Sequence, residues 1–289
     1  MNVLIVNVGN IRRNEIKTLA AMLNQRRKVT IASMAVESSF KGQAFSFCGT
    51  PVRMNPVLYK DVIKNMTRFE DPRAFDGIYA YEFYGTPADA VSIMLGEIMA
   101  HERPNLVIAG IGNGVHMGQD IFCSSNIAMA MEAAYFNVPA ISVAIPYKPG
   151  GHSEKECAVA VKFIEANLPY IETLTLPKHS FLNINIPDVE TYEDLKGIKV
   201  TRLGWVNPVI NEFDVRTDHK SQKYYWGKNV ERELSGAEGT DVDAFGKDFV
   251  SITPINYDPT HYEELERYQA IQARELPKPK LVVKGGAKK

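Results

Sequence analysis

The residues with the clearest chemical potential lie in a glycine-rich loop near the middle of the chain. Four glycines recur closely there, at Gly110, Gly112, Gly114 and Gly118. An apolar run at 106–109 precedes the loop and is typical of a buried strand. After the loop come the polar residues Ser124-Ser125-Asn126 and an Ala/Met-rich stretch, 127–136, which is typical of a helix. The sequence therefore predicts the order strand, glycine loop, polar helix cap, helix.

This order of elements suits an anion site. A helix begins with backbone N–H groups that have no partner within the helix, and its dipole makes that end positive. A phosphate group can bind there. The candidate phosphate-binding residues are Gly110, Gly114, Ser124, Ser125 and Asn126. The alternative is an ordinary strand-to-helix turn in which glycine supplies a positive φ.

The first part of the chain predicts the fold class. Residues 2–8, NVLIVNV, read as a central strand, 15–25 as an amphipathic helix and 29–33 as a second strand. A β-α-β unit of this length is typical of a Rossmann-like α/β fold with a mostly parallel sheet. No G-x-G-x-x-G follows the first strand, which disfavours the usual dinucleotide-binding site.

Other elements follow from local patterns. Thr86-Pro87-Ala88-Asp89 and Ser153–Glu156 read as capping boxes that begin helices. A final helix is predicted from Asp258-Pro259 to about Ala273. Further strands are predicted at 44–47, 51–53, 138–145, 181–186, 198–203 and 249–254.

Composition excludes several classes of partner. The formal net charge of −1 gives no basic excess for binding a nucleic-acid polymer. No apolar stretch approaches the ~20 residues that span a bilayer, so no membrane partner is expected. The three cysteines, Cys48, Cys123 and Cys157, have no metal-type spacing and suggest reduced thiols in a cytoplasmic protein.

Several longer motifs, in order, resemble the SurE family (survival protein E) from residue 1 to about 272. They are YGTPADAV at 84–91, PNLVIAGIGNG at 104–114, AMAME at 128–132, FLNINIP at 181–187, GIKVTR at 197–202, GTDVDA at 239–244 and VSITP at 250–254. The family consists of metal-dependent phosphohydrolases that act on nucleoside monophosphates. The resemblance implies a three-layer α/β/α core, a C-terminal β-hairpin arm, and a divalent-metal site, for Mn²⁺ or Mg²⁺, at the strand ends.

The resemblance also implies a domain organisation. The Rossmann-like core is expected at 1–204, the hairpin arm at 205–247, and the last strand and helix at 248–275. A basic tail follows at 276–289. The arm implies self-association into a homodimer or tetramer.

The metal ligands of the family carry over only in part. Where the family has Asn-Asp-Asp-Gly, this chain has Asn7-Val8-Gly9-Asn10. Ser38 corresponds to a serine ligand, the one ligand retained. In the family's Gly-x-Asn-x-Gly-x-Asn-x-Gly loop, Gly112 and His116 stand at the asparagine positions, although a one-residue shift would bring in Asn113.

Three interpretations follow for function, and they stay open at the level of sequence. The first is a phosphohydrolase that recruits other catalytic residues, with Asn7, Asn113, His116 and Asp120 as candidates. The second is a non-catalytic homologue that binds a nucleotide or another phosphate ester. The third is an oligomeric protein in which the cleft is closed. Loss of the carboxylates at Val8 and Gly9 removes the charge that holds a hard cation, so the metal is expected to bind weakly or to be absent.

Overall fold

A computed structural model describes residues 1–64, 72–205, 210–229 and 236–275 of the chain. The chain divides into two compact units, Met1–Ile255 and Asn256–Lys289. The strands are β1 Asn2–Asn7, β2 Lys28–Met34, β3 Arg53–Leu58, β4 Tyr79–Tyr84, β5 Leu106–Asn113, β6 Ala140–Ile145, β7 Ser180–Asn185, β8 Ile198–Val200, β9 Ile210–Thr217, β10 Lys223–Asn229 and β11 Val250–Asn256. The helices are α1 Asn14–Leu23, α2 Tyr59–Lys64, α3 Pro87–Ile93, α4 Ser125–Tyr135, α5 Glu154–Ile171, α6 Asp241–Phe245 and α7 Tyr262–Glu275.

Nine strands form one sheet in the order β3-β4-β2-β1-β5-β6-β7-β11-β8. β1 pairs in parallel with β2 and β5, and the parallel pairing continues through β6 to β7. β3 is antiparallel to β4 at one edge. The predicted mostly parallel α/β sheet is confirmed.

The first strand shows how the sheet separates two cores. All six residues of β1 are buried. Val3 and Ile5 pack in the cluster that contains residues of α1 and α5. Leu4 and Val6 pack on the opposite face, with residues of α3 and α4. A strand covered on both faces needs apolar residues at successive positions, which explains the unbroken run after Asn2.

The strand order places a functional edge next to β1. The chain passes from β1 to β2 on one side, and β5 later pairs with the other side of β1. In open parallel sheets, ligands bind outside the carboxyl ends of the strands at such a switch point. Asn7 ends β1 and Asn113 ends β5, so both residues lie at this edge.

Two helices begin at the predicted capping boxes. The Thr86 side chain accepts a hydrogen bond from the backbone N–H of Asp89, whose carboxylate accepts in return from the N–H of Thr86. Ser153 and Glu156 form the same reciprocal pair at the start of α5. Within the described ranges, no helix combines the length and apolar character needed to cross a membrane.

The predicted hairpin arm is present as a separate two-stranded sheet. β9 and β10 pair antiparallel, with Val215 opposite Tyr225 and Asp214 opposite Trp226. Aromatic side chains on this hairpin remain exposed, including Phe213, Tyr225 and Trp226.

Two local predictions are wrong. Residues 44–47 form no strand, because the backbone N–H groups of Ser46 and Phe47 donate to the carboxylate of Asp89 and not to a neighbouring strand. The edge strand begins later, as β3. The last helix begins at Tyr262 and not at Asp258-Pro259, since Asp258 accepts from the N–H of Thr260 in a turn before it.

The carboxylate of Asp89 stabilises the start of α3 and the segment around Ser46. This carboxylate is fully buried and accepts from Ser46 and Thr86. Burial alone would raise the pKa of Asp89, but these hydrogen bonds outweigh it and the pKa is lowered. The ionised form therefore adds stability above pH 3.8, and this stability is lost as the pH falls through the folded-state pKa.

We expect Asp89→Asn to lower the free energy of unfolding at pH 7 by about 1–3 kcal/mol, because the backbone N–H groups of Ser46, Phe47 and Thr86 lose a charged acceptor. The deficit should shrink as the pH is lowered to 3. Urea unfolding of the native and variant proteins measures both effects. The exposed Asp76→Asn serves as the control and should stay within about 0.5 kcal/mol of native. A deficit that does not change with pH would contradict this role of the carboxylate.

Candidate functional site

A cavity of about 540 Å³ lies at the carboxyl ends of β1 and β5. Eight of the predicted site residues line it: Asn7, Asn113, Gly114, His116, Asp120, Ser124, Ser125 and Asn126. The other two, Gly110 and Ser38, are not part of this lining. Residues far apart in sequence thus meet at the switch point of the sheet.

Gly110 lies inside β5, which continues past the predicted strand end at residue 109 to Asn113 and shifts its pairing with β6 between Ala109 and Gly112. Its φ is 143°, and a Cβ at this position would lie 2.3 Å from the carbonyl oxygen of Val143. Only glycine can occupy such a position. Gly110 therefore contributes to the shape of β5 where this strand passes beside β6.

Gly112 leaves space that two other side chains fill. A Cβ here would lie 2.5 Å from Nδ2 of Asn126 and 3.0 Å from Nε2 of His116. Asn126 is fixed in this position because its Nδ2 donates to the carbonyl oxygens of Ala109 and Val143. A longer side chain at position 112, such as asparagine, cannot be accommodated with this arrangement of Asn126 and His116.

His116 is held by its backbone. Its N–H donates to Oδ1 of Asn185 at 2.8 Å, and its carbonyl oxygen accepts from Nδ2 of Asn183 at 2.6 Å. The residue is half-buried, but its Nε2 is enclosed and has no hydrogen-bond partner among the described residues. Burial lowers the pKa of His116 to about 4, so its imidazole is neutral at pH 7.

Asp241 anchors the far end of the glycine loop. This carboxylate is fully buried, and its Oδ2 accepts from the backbone N–H of Gly118 at 2.9 Å. Its Oδ1 accepts from the N–H of Gly204 at 2.7 Å. The sequence gives no indication of this role, because the two partners lie far from residue 241 along the chain.

The start of α4 presents backbone N–H groups to the cavity. Ser124 caps the helix by accepting from the N–H of Ile127 at 3.2 Å. Ser125 donates to the carbonyl oxygen of Ser38 and accepts from the N–H of Lys41, which fixes the 38–41 loop. Both hydroxyls therefore hold structure, and an anion would be bound by the first-turn N–H groups.

Three charged residues that the sequence analysis missed also line the cavity: Arg13, Glu15 and Glu37. Arg13 donates through Nη2 to Oε2 of Glu37 at 2.7 Å. Glu15 is buried and accepts through Oε1 from the backbone N–H and from the ring Nδ1 of His152, both at 3.0 Å. Burial alone would raise the pKa of Glu15, but its hydrogen bonds with His152 lower it. For Arg13 and Glu15, the sequence signal that could have indicated a role in the site was their position directly after the loop that ends the first strand.

A family profile described as Survival protein SurE matches residues 3–208. The chain belongs to the SurE family. The 5'-nucleotidase SurE of Pelobacter propionicus is 32% identical over 92% of this chain and 97% of its own length. That of Alkaliphilus metalliredigens is 29% identical over 94% and 98%. The crystal structure of the SurE protein from Aquifex aeolicus matches with a TM-score of 0.71 at 26% identity, covering 94% of this chain and all of that one.

The residues at the SurE metal positions do not fit a divalent cation. Val8 and Gly9 offer no side-chain oxygen. Oδ1 of Asn7 accepts from the N–H of Gly9 at 2.9 Å, and the Ser38 hydroxyl donates to the carbonyl oxygen of Val36 at 2.8 Å. Mn²⁺ and Mg²⁺ require oxygen ligands with carboxylate charge, which these positions do not provide.

Asn113, the remaining candidate metal ligand, already has hydrogen-bond partners in the protein. Asn113 is bound to the backbone of Lys148 through both amide atoms, at 2.8 Å from Nδ2 and 2.7 Å from Oδ1. In the part of the chain that the structure describes, no group of three or more His, Cys, Asp or Glu side chains is arranged to hold a metal ion. A SurE-type metal centre does not follow from these residues.

The burial of His116 predicts its charge state. We expect the His116 imidazole to stay neutral from pH 8 down to about pH 5, because protonation would place a charge in the enclosed environment of Nε2. Nitrogen-15 NMR of the histidine rings measures this directly. The exposed His261 provides the signal of a solvent-exposed histidine ring for comparison. A His116 midpoint at or above 6 would contradict the enclosed environment.

Proposed function

We propose that this SurE-family chain binds a nucleoside monophosphate in the cavity at the ends of β1 and β5, and that it lacks the family's metal-dependent hydrolysis. One observation carries this proposal: Val8 and Gly9 stand where the family resemblance implies the carboxylates of a metal site. Without them, no metal polarises the phosphoryl oxygen or generates the attacking hydroxide.

The features that support binding are separate from those that would support hydrolysis. The cavity, about 540 Å³, has the size typical of small-ligand sites. The first turn of α4 supplies N–H donors for a phosphate, and Ser124 and Ser125 keep that turn in place. Several named relatives are 5'-nucleotidases, which supports a nucleoside monophosphate as the ligand class.

Hydrolysis through a rebuilt site is the second candidate. It is favoured by the presence of Glu15, His116 and Asp120 in the same cavity lining. Against it, the pKa of His116 is lowered to about 4 and the pKa of Glu15 is also lowered. Both groups are therefore weak general bases at neutral pH, where efficient proton transfer needs a pKa near the working pH.

Binding and hydrolysis can be measured side by side. We expect the native protein to bind adenosine 5′-monophosphate in calorimetry with EDTA present, and to release no phosphate from nucleoside 5′- or 3′-monophosphates or p-nitrophenyl phosphate. Mn²⁺ and Mg²⁺ should not change either result. Turnover that EDTA abolishes would instead show that the metal site has been rebuilt from other residues.

A variant tests whether only the metal ligands have been lost. Val8→Asp/Gly9→Asp, combined with Arg13→Ala to make room beside position 9, returns two carboxylates to the cavity edge. Mn²⁺-dependent phosphate release by this variant would show that the rest of the cleft is still catalytically competent.

We also propose that the hairpin arm contacts a second copy of the chain. Val215 and Tyr225 lie directly opposite each other in the β9–β10 pair, and both are more than half exposed, at 52% and 62%. Phe213 on β9 is also exposed. Exposed apolar side chains grouped on one hairpin are typical of a protein–protein contact.

The arm contact predicts a change of mass in solution. Light scattering coupled to gel filtration should give the native protein as a multiple of 32.3 kDa. Val215→Lys/Tyr225→Lys should shift it to the single-chain mass, because lysines at a contact repel and resist burial. Tyr170→Lys, at an exposed tyrosine on α5, should leave the mass unchanged. A native protein that is already monomeric would contradict the proposal.

A further inference from the structure

The side chain of Arg13 lies across the position where a SurE metal ligand would stand. A Cβ at Gly9 would lie 3.1 Å from Nε of Arg13 and 3.2 Å from its Cγ. On the other side, a Cβ at Gly151 would lie only 2.5 Å from Nη1 of Arg13. Two glycines, from the loops after β1 and β6, therefore leave the space that the guanidinium group occupies.

The guanidinium has one nitrogen in use and another available. Nη2 pairs with Glu37, whose own side chain is 45% exposed. Nη1 is buried and has no hydrogen-bond partner among the described residues. A buried donor without a partner costs free energy, so an unpaired Nη1 in a cavity lining indicates that a ligand completes it.

Other unpaired polar atoms lie in the same lining. Oδ1 of Asn126 and Nε2 of His116 are buried without a partner in the described structure. Asn126 is 1% exposed, and it is one of the residues that line the cavity. A polar ligand that brings both donors and acceptors would satisfy these atoms together with Nη1 of Arg13.

The charged side chains of the cavity lining also favour Arg13 as the group that binds a phosphate. Glu15, Glu37 and Asp120 carry negative charge into the cavity wall. Among the described residues that line it, Arg13 is the single lysine or arginine. A phosphate group here needs a cation beside it, and arginine matches phosphate with two parallel N–H donors.

We propose that Arg13 takes the place of the divalent cation: its guanidinium group binds the phosphate of the nucleoside monophosphate, so that binding requires no metal. This inference rests on the proposed function. It assigns the phosphate to the side of the cavity beside Gly9, where Arg13 lies. Glu37 then competes with the ligand for the same guanidinium group.

The test compares phosphate affinity in four proteins, all in EDTA. Inorganic phosphate and adenosine 5′-monophosphate are titrated calorimetrically into the native protein and into Arg13→Gln, Arg12→Gln and Glu37→Gln. Arg13→Gln should weaken both ligands at least tenfold. Arg12→Gln, which removes an exposed arginine next to it, should stay within about twofold of native, since a solvated charge contributes little.

Glu37→Gln separates ligand binding from a structural role of the Arg13–Glu37 pair. Both this variant and Arg13→Gln break the pair, but only Glu37→Gln keeps the cation and frees its second nitrogen. Affinity should therefore be equal to native or tighter in Glu37→Gln. An equal loss of affinity in both variants would mean that the pair only supports the fold, and would overturn the inference.

The outcomes also separate this inference from the proposed function. Native protein that binds neither probe contradicts the proposed function itself. If the native protein binds adenosine 5′-monophosphate and Arg13→Gln binds it equally tightly, the role of Arg13 alone is overturned. The same conclusion follows if the native protein binds this ligand only after Mn²⁺ is added. If Arg13→Gln fails to fold, Arg13→Lys provides the comparison: its single point charge should bind phosphate more weakly than the native guanidinium.

Discussion

A phosphate group in a partly enclosed cavity needs positive charge next to it, and this constraint determines how the site at β1 and β5 can work. Charge taken out of water costs several kcal/mol per ion unless a partner compensates it. The glutamate and aspartate side chains in the lining add to that cost. In the proposed site, Val8 and Gly9 stand where the resemblance implies carboxylates, and Arg13 is the one lysine or arginine of the described lining. Our proposal treats the residues at positions 8 and 9 and the position of Arg13 as two parts of one arrangement.

The arrangement depends on backbone positions that carry no side chain. Gly9 and Gly151 leave room for the guanidinium group, and Gly112 leaves room for Asn126 and His116. In each case a Cβ would lie 3.1 Å or less from the neighbouring side chain. The cavity wall is therefore packed closely enough that restoring a family ligand at one position requires a second change beside it.

Local patterns were sufficient to predict part of this structure. The apolar run of β1 and the capping box at Thr86 each follow from nearby residues, and the switch-point rule places the ends of β1 and β5 together. The loop expected from Gly110 onward begins later, because β5 continues to Asn113. The strand expected at 44–47 failed because Asp89, distant in sequence, takes its N–H groups. Asp241 and Arg13 were missed for the same reason. Their partners, Gly118, Gly204 and Glu37, become neighbours only after the chain has folded.

The proposed replacement of a metal by Arg13 has a direct crystallographic test. Crystals of the native protein with adenosine 5′-monophosphate would be grown once with EDTA and once with Mn²⁺, and anomalous scattering would locate the metal. Replacement by arginine predicts phosphate oxygens within about 3 Å of Nη1 of Arg13 in both crystals. It also predicts no manganese peak beside Asn7 and Ser38. A manganese ion bound there and bridging to the phosphate, with Arg13 turned away from the ligand, would contradict it.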